Sequence, residues 1–223
     1  MPSLRERKKA DTRTRLSAAA VELLVAEGAE RATVSAIAGR AGVSTRTFHN
    51  YFAHREDAFV HFLREQVDEW VEQVEQAPEG MSPLAVLRSV FDELHARSGD
   101  DVSAAENLLL VGEQIGLLLG SEARAHAESI VDPLYEAVQR RAPRSSGFRV
   151  RVMVDLCLAV GASVTRHGRC QPLAGAGDGR SDDDASAASP SAGPQSETDM
   201  AALLDDAFDL LERGASGEWA PTE

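Results

Sequence analysis

The segment TVSAIAGRAGVSTRTFHNYFAHREDAF, residues 33–59, decides how the rest of the chain is read. Thr33 stands where an N-cap is wanted before VSAIAGRA, and Gly42 supplies a left-handed stop after it. Ser44 can cap a second short helix, from Thr45 to about Phe52. Two short helices around a tight turn make a helix-turn-helix. Val34, Ile37, Ala38, Val43, Phe48 and Phe52 are expected to pack on Leu16, Leu23 and Leu24 of a preceding helix. Phe48 and Phe52 are one turn apart and share a buried face. The opposite face then carries Thr45, Arg46, His49 and Asn50. Arginine can grip guanine, asparagine can read adenine, and threonine can reach phosphate or a thymine methyl. Ser44 and the first N–H groups of its helix lie where phosphate is favoured. On composition alone, a solvated polar face explains the same residues equally well.

Outward from this segment, the charge is divided. Residues 1–55 hold ten Lys/Arg against five Asp/Glu, while the remainder holds 13 against 31, within a net of -13. An acidic protein with a basic head is expected to meet a polyanion only through that head. The arm RERKKADTRTR suits phosphate contacts or the minor groove, and a solubilising tail fits it too. The opening MPSLRERKKADTR has no apolar run, so it does not read as a secretory signal. LLLVGEQIGLLLG is too short to cross a bilayer and has Glu113 and Gln114 in its middle. Two cysteines, Cys157 and Cys170, are too few for a disulfide framework or a zinc site. A reduced cytoplasmic protein, not engaged with membrane, is the expectation.

Nothing in the chain alternates like a strand, and the expected fold class is all-α. A first helix is predicted over Asp11–Glu27, and a long one from Arg55 to Ala77, ended by Pro78 and Gly80. Ser82-Pro83 opens a helix to about Arg97. Further helices are predicted near 103–119 and 121–141, the latter kinked or shortened by Pro133. The helix at 147–166 is apolar almost all round from Val152 to Val164, so it needs cover on two sides. Residues 168–198, rich in Gly, Ser, Ala, Pro and Asp, are expected to form a disordered loop. A last amphipathic helix follows, marked by Met200, Leu203, Leu204, Ala207, Leu210 and Leu211. The domains expected are a helix-turn-helix domain with its basic arm at 1–54 and a larger helical body at 55–223.

The segment at 33–59 also resembles the DNA-binding signature of TetR-type transcriptional regulators. The resemblance rests on the small-residue second helix, the Gly-Val-Ser turn, Thr47, Tyr51 and Phe52, and the basic-acidic opening of the long helix at 55–57. It covers about residues 12–60. It implies that Thr33 and Ser44 hold backbone phosphates and that Thr45, Arg46 and Asn50 face base edges. Thr47, Tyr51 and Arg55 would anchor phosphate. His49 replaces the aromatic, often tyrosine, that usually contacts phosphate in that family, and Ala53-His54 replaces a common Pro-Ser.

The resemblance further implies a homodimer on a palindromic double-stranded DNA operator, with a ligand cavity in the body and no cofactor. Ligand binding would act through the long helix after residue 55, as expected of a ligand-responsive repressor. Candidate cavity residues are Trp70, Phe91, His95, Glu113, Gln114, Leu117 and Tyr135, with Val74 and Leu118 as further possible walls. A mostly apolar effector suits them. The helices at 147–166 and 199–213 are the candidate dimer surface, with Gly161, Ala162 and Ser163 allowing close approach. Two rival readings stay open, a helical interaction module without DNA binding and an activator without small-molecule control. An enzyme is not expected, since no metal pair such as H-E-x-x-H, nucleophile elbow or phosphate loop is present.

Overall fold

In a computed structural model the described residues are 3–97, 101–119, 123–170 and 196–216. Among them are nine helices and no strand. The helices are α1 (Leu4–Glu27), α2 (Val34–Arg40), α3 (Thr45–His49), α4 (Arg55–Gln76), α5 (Pro83–His95), α6 (Ala105–Leu119), α7 (Ala123–Arg141), α8 (Gly147–Cys170) and α9 (Ser196–Ser216). Most of the stretch expected as a loop, 171–195, lies outside the described residues, while both of its edges are helical.

Local chemistry sets these boundaries. α1 begins seven residues earlier than its apolar period predicts, because Ser3 and Glu6 form a capping box: Ser3 N–H donates to Glu6 Oε2 at 2.6 Å and Glu6 N–H to Ser3 Oγ at 3.3 Å. Those hydrogen bonds hold the Glu6 carboxyl below its usual range. The arm is therefore helix, which corrects the reading of it as a tail. α1 stops at Gly28, whose φ of 84° is the left-handed region. Thr33 Oγ1 accepts from Ala36 N–H and Ser44 Oγ from Thr47 N–H, so both predicted N-caps form. α3 is shorter than predicted, closing in a tightened turn with Tyr51 N–H and Phe52 N–H both on Phe48 O. α7 runs on through Pro133.

The headpiece, α1–α3, packs as expected. Leu16, Ile37, Ala38, Phe48 and Phe52 are buried, and Val34 and Val43 lie half-buried against them. α4 belongs to both halves of the molecule, lying against α1 on one side and against α5, α6 and α7 of the body on the other. Arg141 of α7 caps its C-terminal end, donating to Val74 O, Ala77 O and Pro78 O at 3.2, 3.0 and 2.7 Å.

α8 has two apolar faces, as its sequence demands. Val150, Val154, Cys157, Gly161 and Val164 are turned inward, and the buried Cys157 thiol is pushed up to about 12 by desolvation. Phe148, Val152 and Leu156, spaced four residues apart, are exposed on the other face. α9 buries Leu204 and Phe208 and leaves Leu210 exposed. Arg88 of α5 ties α9 down through Asp205 and Asp209. Among the described residues no helix is long and apolar enough to cross a membrane.

Candidate nucleic-acid interface and effector cavity

The recognition surface is assembled from the buried side outward. Phe48 is wholly buried, with Phe52 5.6 Å from it between ring centroids. These rings pin α3 and turn Thr45, Arg46, His49 and Asn50 to solvent. His49 also lies edge-on to Phe48 at 5.6 Å. The approach to α3 is fixed by Gly42, whose φ of 68° no side chain adopts easily, and by Arg15, which donates to Ala41 O. Thr33 and Ser44 use hydroxyl oxygens as caps, which leaves a hydroxyl hydrogen to donate outward; that of Ser44 is shared with Thr47 Oγ1 at 2.9 Å.

Thr47 and Tyr51 are half-buried and line a groove with Asn50. Its other wall is the first turns of α1, with Arg5, Lys8 and Lys9. The basic arm and the end of the recognition helix thus face each other, an arrangement that draws in polyanion. Sequence reading missed this wall because eight polar residues in a row show no apolar period, and the capping box was the available signal.

Arg55 departs from its expected place. Its guanidinium turns inward, donating to Ala29 O at 2.6 Å, to Ala32 O at 3.4 Å and to Glu56 Oε1 at 3.0 Å. It satisfies carbonyls of the α1–α2 loop and so fastens α4 to the headpiece, in place of a phosphate contact.

In the body, a cavity of about 210 Å³ lies between α4, α5, α6, α7 and α8. Trp70, Phe91 and His95 line it, as expected. The other four candidates do not. Glu113 and Leu117 are exposed, Leu117 at 77%, because α6 turns Leu108, Val111 and Ile115 inward. Gln114 is half-buried and away from the cavity. Tyr135 lies between α7 and α8, its hydroxyl donated to Asp155 and Arg151 4.4 Å over its ring. Burial, then the Asp155 bond, pushes that phenol up to about 12. Val74 is plain core, and the side chain of Leu118 lies outside the described residues.

Gln66 and Thr165 line the cavity and were not foreseen. Gln66 was detectable as the one polar residue on the face Leu63, Val67, Trp70 of α4. Gly161 also belongs here and not to a helix contact outside the subunit. A Cβ on it would stand 2.5 Å from the Phe91 ring. No group of three or more metal-ligating side chains occurs among the described residues.

A sequence profile for bacterial regulatory proteins, tetR family, matches residues 16–61. The HTH-type transcriptional regulator TcmR of Streptomyces glaucescens is 30% identical over 174 residues, spanning 74% of this chain and 76% of that protein. Three solved structures share the fold. A transcriptional regulator from Rhodococcus sp. Rha1 gives a TM-score of 0.61 at 16% identity, over 91% of this chain and 96% of its own. Thermus thermophilus FadR, a TetR family repressor in complex with lauroyl-CoA, gives 0.57 at 21%, over 95% and 98%. FadR from Bacillus subtilis, in complex with stearoyl-CoA, gives 0.59 at 18%, over 88% and 96%. The profile falls on the helix-turn-helix and the TcmR alignment runs on through the body, so the chain belongs to the tetR family of DNA-binding transcriptional regulators.

Proposed function

We propose that this regulator is a ligand-responsive repressor, a cytoplasmic homodimer that binds a palindromic operator in double-stranded DNA. The exposed row Thr45, Arg46 and Asn50 on a helix locked by Phe48 carries the proposal. These side chains read base edges, with His49 at the rim. Thr33, Ser44, Thr47 and Tyr51 meet phosphate, together with Arg5, Lys8 and Lys9 across the groove. One such helix is too small an interface for a genome, so two half-sites are needed. The exposed apolar stripe of Phe148, Val152 and Leu156, with Leu210 of α9, supports self-association through α8 and α9.

Effector control runs through α4. Leu63, Gln66, Val67 and Trp70 put one face of that helix into the cavity wall, while Arg55 fastens its first turn to the headpiece. An effector that prefers a shifted α4 moves the recognition helices and releases DNA, and one without such a preference does nothing. The FadR proteins hold acyl-CoA, yet their likeness to this chain is one of fold. No Lys, Arg, Asp or Glu lines the cavity here, and a small, mostly apolar effector fits it.

Selecting random DNA fragments with the purified protein at a stated salt concentration tests the reading. The expected result is a two-fold-symmetric motif with half-sites about one helical turn, roughly 34–36 Å, or a multiple apart. No enriched sequence would support a helical interaction module without operator binding.

A further inference from the structure

The cavity walls are apolar apart from four groups, and two of these are donors without an acceptor. The indole N–H of Trp70 is buried and has no hydrogen-bond partner among the described residues. The carbonyl oxygen of Gln66 accepts from Arg97 at 3.3 Å. Because a guanidinium only donates, this fixes the amide and leaves its NH₂ end as a second donor. His95 Nδ1 faces Phe91 O at 2.8 Å, so it carries hydrogen, and its Nε2 lies 3.1 Å from Thr165 Oγ1. The Thr165 hydroxyl is already within 2.8 Å of Gly161 O. The last two groups therefore satisfy each other and the backbone, while Trp70 and Gln66 do not.

Resting on the effector reading above, we propose that the effector is a compact, uncharged, largely apolar molecule whose carbonyl oxygen accepts from Trp70 Nε1–H, with Gln66 as second donor. A buried donor left without an acceptor is costly, and a ligand oxygen removes that cost. A carboxylate or phosphate would be desolvated here without a cationic lining side chain. The volume bounds size: a hydrocarbon cavity of roughly 150 Å³ holds benzene. At about 210 Å³ this one admits a two-ring skeleton and falls short of the ~300 Å³ at which drug-sized sites begin.

The probes are 1-tetralone, tetralin (the same skeleton without oxygen) and laurate. They are titrated into full-length protein carrying Trp219→Phe, so that Trp70 is the single indole. The readouts are Trp70 fluorescence and the ¹⁵N–¹H resonance of its indole. 1-Tetralone should bind about tenfold tighter than tetralin and move the indole proton downfield. Trp70→Phe, followed by calorimetry, should abolish that preference while tetralin affinity stays within about twofold. Equal affinities, an unmoved indole resonance, or no binding of either ring compound overturns the inference. Preferred binding of laurate, strengthening at low pH, overturns it too and assigns an anion paired with protonated His95. None of these outcomes touches operator selection, which alone decides the DNA-binding reading.

Discussion

The headpiece and the body are both helices around a buried core, but they are finished differently. In the headpiece Phe48 and Phe52 close on each other, and the buried hydroxyl of Ser17 lies 2.9 Å from Thr14 O and 3.0 Å from Glu65 Oε2. In the body a cavity of about 210 Å³ separates five helices, and a buried indole N–H faces no acceptor. A helix that reads bases must be held to a fraction of an ångström, so its support is filled and satisfied. A region that responds to a small molecule must instead have something for that molecule to complete.

The largest effect expected from this contrast is in the headpiece. Phe48→Ala removes a wholly buried ring from a filled core and should cost about 3–5 kcal/mol, measured by urea unfolding, with loss of DNA binding. In the body the informative change adds volume. Gly161→Ala drives a methyl into the Phe91 ring, which is held by Trp70 and Phe208 at centroid distances of 6.4 and 5.9 Å. It should cost about 1–3 kcal/mol and reduce the affinity of cavity probes. If Gly161→Ala were neutral for stability and probe binding alike, the body would be as adaptable at α8 as elsewhere, and the cavity would have no fixed wall there.

Two arginines sharpen the division between holding and reading. Arg55→Ala leaves the Ala29 and Ala32 carbonyls without their donor and should lower unfolding stability by about 1–2 kcal/mol. Arg46→Ala, at an exposed residue, should leave the unfolding curve unchanged and weaken operator binding by about 1–3 kcal/mol relative to random DNA. A competition assay with both DNAs separates the two. Equal losses on operator and random sequence would make Arg46 a phosphate contact.

The same division decides what the sequence makes legible. Thr33, Ser44, Gly42, Phe48 and Phe52 are local signals, caps, a turn and one helical period, so the headpiece can be read from one segment. The inward turn of Arg55 depends on carbonyls 23 and 26 residues earlier, which no local pattern contains. In the body, α6 reads as apolar on nearly every side, so its sequence cannot say that Leu108, Val111 and Ile115 face inward and Leu117 outward. Glu113 and Gln114 attract attention as polar interruptions, although a polar residue in an apolar helix marks the solvent face as readily as a site. Trp70, Phe91 and His95 are legible as large or polar residues on amphipathic faces, whereas Thr165 joins them only by the crossing of α8 over α5.

The smallest expected effect lies at the seam between the two regions. His61 of α4 packs against Phe52 at 5.6 Å and lies 3.6 Å from Glu65, which also accepts from Thr14 and Ser17 of α1. Burial holds its imidazole below the ordinary value of 6.5; Arg13 and Arg64 act in the same direction, and Glu65 and Asp68 oppose them. The folded protein therefore takes up this proton at lower pH than the unfolded chain does. As pH falls below 6.5 the unfolded state binds the proton first, and stability declines until the folded imidazole is also protonated. Above 6.5 the contribution of His61 is fully present. Urea midpoints measured from pH 5 to 8 for the wild type and His61→Gln should diverge only on the acid side, the wild type falling more steeply. Parallel curves would mean that the seam does not feel this proton. A divergence accompanied by loss of operator affinity at the same pH would show that the seam passes strain on α4 into the recognition helix.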